Sequence, residues 1–125
     1  MNIIGQVIKG ESIGHTIGFP TANLDLVPST NELELGVYTG TCSINKAGDT
    51  IYNCLIYFGP RLIFGETKNS FEVYLYDFQG DLYGQTLTVQ VLNFIRPPIK
   101  FANLAALKTQ LQKDREHGRL LLSHD

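Results

Sequence analysis

Glu72 lies within the run Phe71-Glu72-Val73-Tyr74-Leu75-Tyr76-Asp77-Phe78, which alternates as a strand does. Phe71, Val73 and Leu75 fall on one face; Glu72, Tyr74 and Tyr76 fall on the other. Glutamate is depleted in strands. A carboxylate at such a position either faces solvent or is held rigidly at a cleft, where it can serve as a general base. Arg96 stands before Pro97 and Pro98, which restricts its backbone. Its guanidinium can cover the start of a following helix, pair with an anion or stack on a flat ring. Gly10, Gly14 and Gly18 recur every four residues. Glycines let backbone amides approach phosphate oxygens, and they equally serve ordinary turns. The Gly-Lys-Ser/Thr ending of a Walker loop is missing, and no helix follows at once as a Rossmann fingerprint requires.

These residues need a frame, and the hydrophobic pattern describes one. Residues 2–9 read as a strand, 10–31 as a long irregular segment, 36–44 as a second strand, and 45–49 as a hairpin turn. Residues 50–58 form the returning strand and 59–70 a second long loop. Residues 71–78 and 86–95 are strands around a turn at Gln79-Gly80-Asp81. Pro97 and Pro98 end the last strand, because proline cannot donate to a ladder. The period then changes from 2 to 3.6: Phe101, Leu104, Leu107 and Leu111 make an amphipathic helix with Lys108, Gln112 and Lys113 on its polar side. Gly118 is expected to stop it. The pattern predicts one mainly β domain over residues 1–125, an antiparallel barrel or sandwich over about 1–97 with a helix over about 101–117. A barrel is favoured because it hides strand edges.

Composition narrows the function. The 125 residues are 43% hydrophobic and 18% charged, which is globular rather than disordered. The net charge of −2 offers no long-range attraction to a polyanion, so nucleic acid is not an expected partner. No apolar run approaches the ~20 residues of a membrane span, and the first residues lack a signal-peptide pattern. A cytoplasmic, monomeric protein with no membrane partner is expected. Cys42 and Cys54 form no CxxC pair and are expected to be small buried hydrophobes. His15, His117 and His124 are scattered and mark no metal site.

Gly18-Phe19-Pro20-Thr21-Ala22-Asn23 resembles the signature of the riboflavin kinase family, which includes the kinase modules of bifunctional FAD synthetases. Gly36-Val37-Tyr38, the run 71–78, Gly80-Asp81-Leu82-Tyr83-Gly84, Ile95-Arg96-Pro97 with Lys100-Phe101, and Asp114 continue the resemblance in order. It implies a six-stranded antiparallel Greek-key β-barrel with one C-terminal α-helix. It also implies transfer of the γ-phosphate of ATP to the ribityl 5′-hydroxyl of riboflavin, giving FMN and ADP. FMN but not FAD is the expected product, since no adenylyltransferase domain accompanies the kinase residues. By the same resemblance Glu72 is the catalytic base. Gly10, Gly14, His15, Gly18, Pro20, Thr21 and Asn23 bind ATP. Thr21 and Asn23 also hold the metal, Mg²⁺ with Zn²⁺ or Mn²⁺ as alternatives. Leu75, Val89, Arg96 and Ile99 border the flavin. Alternation sets Leu75 opposite Glu72, so both border the flavin only if the strand bulges or the ring reaches round its end.

Other readings remain open at this point. One is a barrel of the same fold that binds flavin or nucleotide with little or no turnover. Another is a nucleic-acid-binding barrel with stacking tyrosines, against which the net charge argues. Three departures from the family pattern bear on the site. Leu62-Ile63 replaces Pro-Thr, Pro98-Ile99 replaces a polar pair, and His15 stands where Arg or Lys is usual. A neutral imidazole offsets less phosphate charge, and histidine titrates near ~6.5. Weaker or pH-dependent ATP binding is therefore expected; a KM for ATP that stays flat between about pH 5.5 and about pH 8 in steady-state assays would count against it.

Overall fold

The structure, a computed structural model, describes residues 1–8, 21–45 and 50–123. Six strands close a barrel: β1 (Asn2–Ile8), β2 (Ala22–Leu24), β3 (Gly36–Ile44), β4 (Ile51–Pro60), β5 (Asn69–Leu75) and β6 (Thr86–Arg96). A short 3-10 turn spans Leu62–Phe64, and helix α1 spans Leu104–Leu122. Neighbours run β1-β2-β5-β4-β3-β6, every pair antiparallel. Strands β3, β4 and β5 form a meander, and β6 returns beside β3, which is Greek-key connectivity.

Alternation builds the interior. Strand β1 alternates strictly between exposed and buried, with Ile3 and Val7 inside. They meet Ala22, Leu24, Ile56, Phe58, Phe71, Val73, Leu75, Leu87 and Val89 in the barrel core. Cys42 and Cys54 join this core as free thiols, as expected. Burial pushes the Cys42 thiol up to about 12 and Cys54 well above its usual value, so neither is a nucleophile near neutral pH. A second, smaller core lies outside the wall, where Val37, Leu55, Tyr76 and Leu122 pack between barrel and helix.

Several boundaries differ from the sequence reading, each for a local reason. Strand β2 lies inside the segment read as irregular, because three residues are too few to show a period. The second long loop shortens, since β4 runs on to Pro60 and β5 begins at Asn69. Strand β5 ends at Leu75 rather than at 78, and two residues later Asp77 takes a positive φ of 57°, uncommon for a non-glycine residue. Most of the turn at 45–49 lies outside the described residues.

Gly118 is the instructive difference. It does not stop the helix; it sits buried within α1. A Cβ there would fall 2.5 Å from the Tyr76 hydroxyl oxygen and 2.8 Å from Leu55 Cδ2. The helix starts at its N-cap Asn103, whose side chain accepts from the Ala106 amide at 2.9 Å. Asp114, Gly118 and Leu122 are its buried positions, four apart and therefore on one face. The last turns of α1 thus touch the barrel, while the first turns stand off it. Gly118→Ala is expected to destabilise the fold by about 1–2 kcal/mol, because overpacking outweighs the ~1 kcal/mol that alanine normally gains in a helix. Urea denaturation measures this; a stabilised variant would mean the helix rides further from the wall.

Candidate active site

Strand register assembles the site. Ile8 pairs with Asn23, Asn23 with Glu72, Glu72 with Tyr57, Tyr57 with Val37, and Val37 with Arg96. Directly opposed residues share a face, so this row crosses all six strands on the outer side of the barrel. Three strand steps separate Glu72 from Arg96, about 14 Å around the wall. Under the raised half of α1 the row forms the floor of a cleft. Thr21, Tyr57, Glu72 and Tyr74 line one part, and Arg96, Asp114 and Ile99 another. Val37, Leu55, Leu62, Ile63, Phe101, Leu107 and Leu111 supply apolar surface, and Arg61 lies at the wall. The cleft holds about 900 Å³ of free space counting its open mouth, within the usual range of small-molecule sites.

Glu72 is only 8% exposed, which removes the solvated alternative. Thr21 Oγ1 donates to its Oε1 at 2.9 Å, and Ser70 Oγ donates to its Oε2 at 2.9 Å. Both oxygens are thereby held in place. Tyr57, on the neighbouring strand, donates to the Pro60 carbonyl oxygen at 2.5 Å. Burial pushes the Tyr57 phenol up to about 12; the Glu72 charge adds to this and Arg96 partly offsets it. Tyr57 is therefore a neutral donor across the working pH range.

Arg96 anchors the other end. Its Nε donates to Asp114 Oδ1 at 3.0 Å and Oδ2 at 3.2 Å, and its Nη2 to Oδ2 at 2.7 Å. Nη1 donates to the Pro97 carbonyl oxygen at 3.1 Å. Asp114 also accepts from Gln110 Nε2 at 3.0 Å. Arg96 and Asp114 are 12% and 2% exposed, so the pair is a buried clasp between β6 and α1.

The structure brings some of the expected site residues together and separates others. Thr21, Glu72, Arg96 and Ile99 all line the cleft. Asn23 is the register partner of Glu72 on the same outer face. Leu75 and Val89 are a correction: both point into the barrel core, on the opposite side of the wall from the cleft. Strand β5 carries no bulge that would turn Leu75 round; Leu75, Tyr74, Val73 and Glu72 pair in unbroken register with β4. Gly10, Gly14, His15, Gly18 and Pro20 lie outside the described residues. The sequence reading missed Ser70 and Tyr57. Ser70 fell in a segment read as loop, and Tyr57 was one more aromatic in a strand.

A divalent cation fits the residues present. Thr21 and Asn23 flank Glu72 with oxygen donors, which suit a hard ion. A hydroxyl can offer lone pairs to a cation while its proton stays on the carboxylate. Two neutral oxygens leave most of an octahedral shell to phosphate oxygens and water. Among the described residues, no group of three or more His, Cys, Asp and Glu side chains could hold an ion by itself. Nor, among them, is any helix long and apolar enough to cross a membrane.

A closed Greek-key barrel roofed by one helix, with a fixed carboxylate beside a hydroxyl in the cleft between them, defines the class. The Flavokinase (riboflavin kinase) family model matches residues 1–122, and the chain belongs to that family. A bifunctional riboflavin kinase/FMN adenylyltransferase of Haemophilus influenzae is 40% identical over 94% of this chain, which spans 37% of that protein. An RNA-binding riboflavin kinase of Bacillus subtilis is 32% identical over 90% of this chain and 47% of its own length. A crystal structure of riboflavin kinase from Trypanosoma brucei superposes with a TM-score of 0.65 at 25% identity, over 98% of this chain and 79% of that one. A crystal structure of a macrolide-efflux protein from Streptococcus pneumoniae superposes with a TM-score of 0.76 at 33% identity, over 94% of this chain and 38% of that one.

The clasp yields a stability prediction. Asp114→Ala leaves the Arg96 guanidinium in an apolar setting without its counter-charge and is expected to cost about 3–5 kcal/mol. Replacing both partners, as Arg96→Met with Asp114→Leu, should recover most of that loss. Chemical denaturation of the two variants checks it; equal losses would show that packing, not charge, dominates.

Proposed function

We propose that this chain is an ATP:riboflavin 5′-phosphotransferase that produces FMN and ADP. The observation that carries the reading is the convergence of Thr21 and Glu72, 2.9 Å apart, at the wall of the cleft that Arg96 and Ile99 also line. The apolar walls between the two ends suit a flat heterocycle, with its polyol arm directed toward Glu72. Arg96 and Ile99 remain the flavin-bordering residues; Leu75 and Val89 are withdrawn from that role. The Arg96 guanidinium keeps two N–H groups beyond its bonds to Asp114 and Pro97, free to meet ring oxygens or nitrogens.

Phosphoryl transfer needs positioning and charge neutralisation more than covalent help. Glu72 accepts the proton of the 5′-hydroxyl as that oxygen attacks the γ-phosphorus in line. Thr21 and Asn23 orient the nucleotide end next to it. Thr21 and Asn23 would hold Mg²⁺ through their side-chain oxygens, and the ion would supply charge neutralisation for the phosphates. The cleft walls exclude water that would otherwise compete with the alcohol as acceptor.

Glu72→Gln is expected to lower FMN formation by roughly 10²–10⁴-fold while riboflavin still binds. Chromatography of FMN, run beside quenching of riboflavin fluorescence, reads both quantities. A variant retaining the wild-type rate would rule out Glu72 as the base.

A further inference from the structure

The hydroxyl of Ser70 has more acceptors than protons. Its Oγ lies 2.9 Å from Glu72 Oε2 and 3.3 Å from the Gly59 carbonyl oxygen. A serine hydroxyl carries one proton, and both neighbours are acceptors, so it serves one at a time. Strand register fixes this choice of partners. Ser70 is paired with Gly59 across the β4–β5 ladder, and it stands two residues before Glu72 on the same face of β5. The other carboxylate oxygen, Oε1, is covered by Thr21. Each carboxylate oxygen has about two lone-pair sites, so Thr21 and Ser70 leave one on each oxygen for a substrate alcohol, and Ser70 has a second acceptor, the Gly59 carbonyl, within reach.

We propose that Ser70 is a positioning residue for Glu72: its hydroxyl holds Oε2 in the resting site and turns to the Gly59 carbonyl when the acceptor alcohol docks on the carboxylate. This rests on the kinase reading above. In the transfer step the alcohol O–H bond breaks and its proton passes to Glu72. The alcohol oxygen bonds to the γ-phosphorus, and the bond from that phosphorus to the β–γ bridging oxygen breaks to leave ADP. Ser70 keeps its own proton throughout. Before the alcohol docks, Ser70 donates to Glu72. After transfer the protonated carboxyl donates to Ser70 Oγ, while the serine proton rests on Gly59. Neither state leaves a buried polar atom without a partner, which is otherwise costly.

Ser70→Ala removes the donor before transfer and the acceptor after it, and leaves the Arg96 end of the cleft untouched. Its kcat is expected to fall about ten- to hundredfold, with KM for riboflavin and for ATP within about twofold of wild type. Ser70→Thr keeps the hydroxyl and should recover most of kcat. If Ser70→Ala does not fold, Ser70→Cys, similar in size and a poor donor, takes its place in the same assay. Unchanged kcat, a loss confined to KM, or equal losses in the alanine and threonine variants would each overturn the role. Wild-type turnover is measured alongside; its absence would overturn the kinase reading and this inference with it.

Discussion

Ladder pairing decides which side chains become neighbours, and in a closed barrel that decision runs the whole way round. Asn23, Glu72, Tyr57, Val37 and Arg96 are scattered over more than seventy positions of the chain. They form one row because each is the register partner of the next. A slip of one residue at any pair would send one side of the row into the barrel and bring core residues out. Core packing therefore protects the site. Phe71 and Val73 cannot leave the interior without Glu72 leaving the cleft.

Helix α1 depends on the same row. Val37 and Leu55 project from the outer wall to meet Tyr76 and Leu122, and the missing side chain of Gly118 permits close approach there. Arg96, the last member of the row, reaches Asp114 and fixes where the helix lifts away. The hydroxyl and carboxylate chemistry at one end of the cleft and the ion pair at the other are thus held by backbone pairing and by helix contact respectively, and the apolar walls lie between.

Much of this was legible in the residues. Alternation and turn chemistry placed five of the six strands, and the strand from Gly36 to Ile44 was read with its observed limits. Glu72 and Arg96 stood out because each is an odd residue for its place, and both line the cleft. Thr21 and Asn23 came through the family resemblance rather than from any local pattern. Face parity spoke against Leu75, since odd and even positions of an unbulged strand face opposite sides of the wall. Val89 sits in the core for the same reason. Gly118 was misread because a glycine late in a helix signals a stop more often than a contact, and only the nearness of Tyr76 distinguishes the two. Ser70 fell in a segment read as loop, so its place two residues before Glu72 on the same strand face went unread.

The attachment of α1 at its far half gives the cleft the mechanics of a lever. From Asp114 to Leu104 the rod extends about 15 Å, so a tilt of about 5° about the clasp displaces its free end by roughly 1 Å. The gap above Ile99 and Phe101 is consequently set in part by contacts at Tyr76 and Leu122, neither of which lines the cleft. Small changes in the seat of the rod alter the aperture at the opposite end, and the dimensions of the ligand chamber are governed in part from outside it.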